Sequence, residues 1–506
     1  MSRSVGAVNH CEAPLCDVLV AGGGPAGLTA GWLLSRRGVS VTVVEADPRL
    51  WGGISRTEEY KGYRFDIGGH RFFSKSERVE RLWDEILPEP MLERPRKSRI
   101  YYRGQFYSYP IRPFEALANL GPWEAVRCVG SYAHARLVPV RPVRSFQDWV
   151  TNAFGHRLFS IFFKTYTEKV WGMDCRDISA DWAAQRIKGL SLSRAVLNAF
   201  ARRSKDRSAT VKTLINTFRY PRLGPGMMWE AAAAEVRARG ATLFQGARVT
   251  RLDWSAEQGE WTATVASADG TTTIRARSVI SSVPLAQLPE MMHPSFTREA
   301  AEAAEGLRYR DFLTVALIMR ERNRFDDNWI YVHDPAVMVG RIQNYKSWSP
   351  AMVPDPATAC YGLEYFCREG DGLWEKSDAE LVALAARELE QLGLGSAKDV
   401  LDGTVVRQPK AYPVYDGEYQ QRVETVKREL EARFPTFHPV GRNGMHKYNN
   451  QDHAMMTAML TVENIVQGRQ AFDTWRVNDD AEYHEAGASG QATASGLRAV
   501  PELVGR

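Results

Sequence analysis

The chain has 506 residues, too many for one compact core, so two or three lobes are expected. A hydrophobic fraction of 44% and a charged fraction of 25% are those of an ordinary globular protein, and a net charge of +5 is too small to imply a nucleic-acid partner. No apolar run reaches the roughly 18 residues of a membrane span, and the N-terminus lacks the pattern of a signal peptide, so a cytoplasmic place without a membrane span is expected.

The first element is an apolar strand from Asp17 to Ala21, closed by a tight turn at Gly22, Gly23, Gly24, Pro25, Ala26 and Gly27. A helix from Leu28 to Arg37 follows, whose free N–H groups and dipole suit a pyrophosphate. The next strand, Val39 to Glu45, ends on an acid able to accept a hydrogen bond from a ribose hydroxyl, with Ala46 beside it. Strand, turn, helix, strand and acid stand at the offsets a bound dinucleotide requires.

The stretch from Asp47 to Arg56 adds a second glycine pair, Gly52 and Gly53, with Ser55 and Arg56. It resembles the extended FAD fingerprint of glutathione-reductase-like flavoproteins related to amine oxidases. In those proteins a loop like Phe65 to Phe73, with Gly68, Gly69 and His70, lies against the flavin ring. The resemblance implies FAD as the cofactor, with all these residues holding it.

From Pro113 to about Lys205 apolar residues recur at three- and four-residue spacing, as in Phe146 to Phe154 and Leu158 to Phe163, which predicts a helical insertion. The basic cluster from Arg202 to Arg207 reads as solvated surface. Strand patterns return at Thr242 to Phe244, Ala247 to Leu252, Trp261 to Val265 and Ser278 to Val283. In related flavoproteins this stretch rejoins the FAD lobe, and Arg248 and Val249 fall where adenine is contacted. Phe312 to Met319 and Cys360 to Phe366 suggest an antiparallel sheet, and a last helix is expected from about Asp452 to Asn464. Six cysteines at scattered spacings point to reduced thiols, with neither a disulfide framework nor a metal site.

The expected fold class is α/β: a discontinuous Rossmann-type FAD domain (14–85, 209–285 and 436–485), a helical domain (113–208) and an antiparallel-sheet substrate domain (86–112 and 286–435). A flexible tail is expected at 486–506.

Tyr166-Thr167-Glu168-Lys169-Val170-Trp171-Gly172 resembles a stretch of bacterial UDP-galactopyranose mutases. Gly441, Arg442, Tyr448, Asn450, Gln451 and Asp452 resemble the flavin- and phosphate-binding segment of the eukaryotic members. The resemblance implies an isomerase that interconverts NDP-hexopyranose and NDP-hexofuranose, of UDP- or GDP-galactose type. Reduced flavin N5 would attack the anomeric carbon without net redox, and NADPH or NADH would serve as reductant. Arg341 and Arg442 would clamp the departing diphosphate, because guanidinium forks bind phosphate oxygens bidentately. Tyr109, Tyr412 and Tyr448 would donate to the same oxygens.

His70 would sit on the flavin face, or satisfy backbone carbonyls in its glycine turn. Arg186 and Asn216 would reach the diphosphate and sugar, or bond between domains. Trp329 and Tyr331 would pack on sugar or nucleotide, or in the core. Asn450 and Gln451 would face the flavin, or Asn450 would cap the last helix. Arg112 stands where the eukaryotic mutases hold uracil with an amide; arginine better matches the two acceptors of guanine, which points to GDP. A homo-oligomer is compatible with the sequence. The competing readings are an FAD-dependent oxidoreductase of amine oxidase or protoporphyrinogen oxidase type and a flavin-binding protein without turnover.

Overall fold

A computed structural model describes residues 15–109, 111, 113–180, 182, 217–322 and 325–478. The expected tails, and Arg112, Arg186 and Asn216, lie outside the described residues.

The strand Leu15–Ala21 runs between Val41–Glu45 and Gly270–Ser281, parallel to both, with Val18 opposite Val41 on one side and Ser278 on the other. Thr242–Gln245 extends this sheet beyond Val41–Glu45, and Phe437–Pro439 pairs with the end of Gly270–Ser281. Ala247–Ser255, Glu260–Ser267 and Gly270–Ser281 form an antiparallel run, and Met292–His293, parallel to Ala247–Ser255, completes the sheet. Val41–Glu45 is buried at every position, as a parallel strand covered on both faces must be. The helix Pro25–Arg36 packs between the helices Gly226–Ala238 and Gln451–Gln467, so segments more than 400 residues apart close one core around Trp32, Trp229 and Met455. This helix begins at Pro25 rather than Leu28, because proline suits the first helical position, where its missing N–H has no partner to lose.

A second sheet has the strand order Val400–Pro413, Tyr309–Arg320, Thr358–Cys367, Arg341–Asn344, Trp329–Val332, Ser98–Tyr102, Gln105–Ser108. Its pairs are antiparallel except Trp329–Val332 with Ser98–Tyr102, which is parallel. The helices Pro113–Leu120, Pro122–Leu137 and Phe146–Phe154 lead into a π-helical turn at Ser160–Lys164, which is followed by Thr165–Trp171. The five cysteines among the described residues are free and buried. No helix among the described residues is long and apolar enough to cross a membrane.

Candidate active site

The glycine turn is shaped by steric need. A Cβ on Gly27 would stand 1.8 Å from the carbonyl oxygen of Gly22, and one on Gly22, whose φ is +108°, would stand 2.1 Å from Ser282 Oγ. Gly24 is different: a Cβ there would find its nearest atom, Gly53 Cα, 3.8 Å away. Gly24 is the N-cap of the helix Pro25–Arg36, with no side-chain cap and no acid in the first turn, so that end is open to an anion. Glu45 is buried, and its two carboxylate oxygens accept from the N–H groups of Gly23 (2.6 Å) and Asp47 (2.7 Å). Burial holds its carboxyl above the usual range.

The second glycine pair meets the first, with the Gly52 N–H donating to Gly23 O at 2.9 Å. Arg56 ties this loop down by donating to Gly53 O (3.0 Å), Gln408 Oε1 (2.9 Å) and Glu58 (2.8 Å), while Ser55 is buried beneath it. At the far end of the chain Gly441, φ +79°, donates its N–H to Thr457 Oγ1, and a Cβ on it would lie 3.2 Å from that of Ala26. The C-terminal segment therefore abuts the glycine turn. Gln451 opens the last helix and donates Nε2 to Arg71 O at 3.2 Å, while its Oε1 is buried without a partner. Asn450 is the N-cap, its backbone N–H donating to His453 Nδ1; Asp452 is buried behind it. Ala46 and Arg248 are exposed and Val249 is in the core. An open helix N-terminus, interlocked glycine loops and the orphaned Gln451 Oε1 and His70 Nδ1 together fit FAD.

One face of the second sheet carries the other group of residues. Side chains alternate along a strand, so Trp329 and Tyr331 share a face. The register places Tyr331 opposite Arg341, and Arg341 opposite Glu364. Arg341 Nε lies 2.6 Å from Glu364 Oε2, and Glu364 Oε1 accepts from Gln343 Nε2 at 2.6 Å. Arg341 also donates to Tyr412 Oη at 2.8 Å, and its guanidinium lies 5.3 Å from the Trp329 ring centre. Burial opposes the charge on Arg341, but Glu364 and the surrounding tyrosines hold its pKa well above the ordinary value. Burial also raises the Glu364 carboxyl, against the pull of Arg341.

Tyr412 stacks on Tyr448 with ring centres 5.4 Å apart, and Arg442 lies 5.3 Å from the first ring and 5.2 Å from the second. Arg442 is also anchored to the chain, donating Nε to Asn449 O (2.9 Å) and Nη1 to Ala411 O (3.0 Å). The aromatic wall continues from Trp329 to Tyr331 (5.3 Å) and on to Tyr109 (4.7 Å). A Cβ on Gly69 would lie 2.1 Å from the Trp329 ring, so the glycine lets the His70 loop meet this wall. Burial first, then Arg442 and Arg341, push the His70 pKa down to about 3, which keeps the ring neutral at pH 7.

The fold thus gathers His70, Tyr109, Trp329, Tyr331, Arg341, Tyr412, Arg442 and Tyr448 along one wall. Three further residues join it. Glu364 orients Arg341; Tyr166 stacks on His333 at 4.8 Å and meets Tyr331 edge-on. Arg71, whose pKa burial lowers to about 10, lies 5.0 Å from the Trp329 ring centre and donates Nη2 to Ser98 Oγ at 2.8 Å. Tyr166 stood in the quoted motif and Arg71 beside His70, so both had a sequence signal; Glu364 had none, because only strand register identifies it.

The family described as flavin containing amine oxidoreductase matches residues 25–441. A Mycobacterium tuberculosis protein named as a flavin-containing monoamine oxidase is 28% identical over 249 residues, 47% of this chain and 51% of that protein. The dTDP-fucopyranose mutase of Escherichia coli is 26% identical over 171 residues, 32% of this chain and 44% of that protein. The chain therefore spans about half the length of the curated relatives it matches. A solved structure of reduced UDP-galactopyranose mutase superposes with a TM-score of 0.76 at 20% identity, covering 92% of this chain and 97% of that one. A putrescine oxidase structure gives 0.57 at 19% identity, covering 90% and 99%.

Proposed function

The chain belongs to the flavin containing amine oxidoreductase family and uses FAD, and from that premise we propose that it is a nucleotide-sugar mutase interconverting NDP-hexopyranose and NDP-hexofuranose. The observation that carries this reading is the pair of guanidinium groups, Arg341 and Arg442, 5.9 and 5.3 Å from the Tyr412 ring centre, with Glu364, on Arg341, the one carboxylate ion-paired to either among the described residues. A site for an apolar amine needs no such cation excess. A diphosphate that must leave the anomeric carbon, wait and return does need it. The dTDP-fucopyranose mutase match and the closer superposition on a mutase than on a putrescine oxidase support the same reading.

Bound FAD, in its reduced form, supplies the nucleophile for this chemistry and no net electron transfer is required. The chain's own residues do the rest. Arg341, held by Glu364, presents its remaining donors to the diphosphate, and the hydroxyls of Tyr412 and Tyr448 add neutral donors. Trp329, Tyr331 and Tyr109 supply a wall against which sugar and nucleotide pack and from which water is excluded. Neutral His70 offers an unpartnered ring nitrogen on the glycine loop without adding to the positive charge of Arg341, Arg442 and Arg71. Glu45 and the open end of Pro25–Arg36 hold the cofactor's ribose and pyrophosphate.

The test is anaerobic incubation of dithionite-reduced enzyme with UDP-, GDP- and dTDP-hexoses and separation of the products. Furanose product without flavin reoxidation is expected, and the preferred nucleotide decides between UDP and GDP. Replacing dithionite by NADPH or NADH tests the reductant. The second reading, an oxidoreductase, is favoured by the family description and the monoamine oxidase match. Bleaching of the oxidised flavin by an amine, with no isomerisation of any nucleotide sugar, would establish it and remove the mutase reading.

A further inference from the structure

The helix Pro122–Leu137 turns an apolar face to solvent. At 100° per residue Trp123, Val126, Val129, Gly130, Ala133 and Leu137 fall on one side of it, and all are exposed. Trp123 is 73% accessible and Leu137 82%, whereas Cys128 and Ala135, on the opposite side, are buried. The segment after the helix prolongs the patch through Val138, Val140 and Val143. Isolated exposed valines need no explanation; a contiguous face that includes a tryptophan marks an interaction surface.

Its charge selects the partner. Arg136, Arg141 and Arg144 are exposed at the patch and form no ion pair among the described residues. The helix carries one carboxylate, Glu124, which is neutralised by Arg127 (2.8 Å) and Arg157 (2.6 Å). Asp148 nearby is occupied by the N–H groups of Arg144 and Ser145. A two-fold contact with a second copy would set this cationic rim against itself with no free acid at the patch among the described residues to meet it. An anionic bilayer answers both properties: tryptophan and aliphatic groups enter the headgroup boundary while arginines meet lipid phosphates.

We propose that Pro122–Leu137 and the valine- and arginine-bearing segment behind it dock the enzyme peripherally on an anionic membrane surface. The helix packs its other side on the cluster that includes Tyr107 and Phe162 and, at its edge, Tyr109 and Tyr331. The docked helix therefore lies one layer behind Tyr109 and Tyr331, its exposed face turned away from them.

Full-length holoenzyme is to be pelleted with vesicles of phosphatidylcholine alone and of an equimolar phosphatidylcholine and phosphatidylglycerol mixture, at low and high salt. Binding to the anionic vesicles is expected to exceed that to the neutral ones by about tenfold or more and to fall with salt. Trp123→Ser with Leu137→Ser should abolish it at unchanged FAD content and melting temperature, and Arg136→Ser should weaken it about fivefold. Equal pelleting with both vesicles, or wild-type binding by the serine variants, overturns the proposal. So does a dimer in sedimentation velocity that Trp123→Ser dissolves while vesicles bind nothing, since the occupant is then a second copy.

Discussion

At the residue scale, the two arginines proposed to clamp the diphosphate are not equivalent. Arg341 spends Nε on Glu364 and one Nη on Tyr412, leaving donors for a substrate. Arg341→Ala strands the buried Glu364 carboxylate, so it is expected to lose about 3–5 kcal/mol of stability and turnover by about 100- to 1,000-fold, the latter as for one preorganised oxyanion donor worth about 3 kcal/mol. Arg442 also satisfies the carbonyls of Asn449 and Ala411, so Arg442→Ala should lower both turnover and stability, the latter by roughly 1–3 kcal/mol. Steady-state kinetics and denaturant melts of the two variants separate these effects. His446, 2% accessible and 4.9 Å from the Tyr309 ring, gives a pH prediction. Burial lowers its pKa from 6.5 to about 4. The folded state then binds fewer protons than the unfolded one, so this contribution is whole above pH 6.5 and is lost as pH falls through 4. His446→Gln should flatten the acid limb of the stability profile over that window, by up to about 3 kcal/mol at pH 4. An unchanged limb in urea melts from pH 7 to 4 would count against a neutral buried His446.

At the element scale, the βα turn offers a paired test. Gly27→Ala would force its Cβ against Gly22 O, a backbone atom that cannot yield without parting helix from strand. It should destabilise the chain by about 3 kcal/mol. Gly24→Ala meets no protein atom closer than 3.8 Å, so the apoprotein should fold with an unchanged melting temperature, yet FAD affinity should drop by at least about tenfold because the methyl stands where a phosphate must approach. Measured FAD-to-protein ratios and apoprotein melting temperatures distinguish the two. The sheet has its own logic. Trp329-Ile330-Tyr331 alternates, and alternation alone leaves open whether the aromatic face is core or site. Pairing across Arg341 to Glu364 resolves it, because a guanidinium and a carboxylate among those rings make the face polar.

At the scale of the whole molecule, the proposed FAD site brings together segments around residues 22, 52, 68 and 441–452, which the glycine contacts, the Gln451 bond to Arg71 and the packing of Gln451–Gln467 on Pro25–Arg36 draw together. The cofactor should therefore act as a structural bridge. Stripped protein should melt lower, and FAD added at one hundred times its dissociation constant should restore about 2.7 kcal/mol. The dinucleotide turn, its helix, the second glycine pair and the last helix were legible in the sequence, because each is set by local backbone sterics and periodicity within a few tens of residues. The tyrosines and arginines of the clamp could be picked out by resemblance, but not arranged. Only the tertiary structure decided that Glu364 holds Arg341, that Arg442 is tied to two carbonyls, and that Arg71 and Tyr166 join the wall. The apolar side of Pro122–Leu137, open to solvent rather than turned to a core, was likewise decided by the tertiary structure. These facts depend on strand register and on which face of an element is covered, and both are fixed by the packing of separate elements on one another, which no local pattern records.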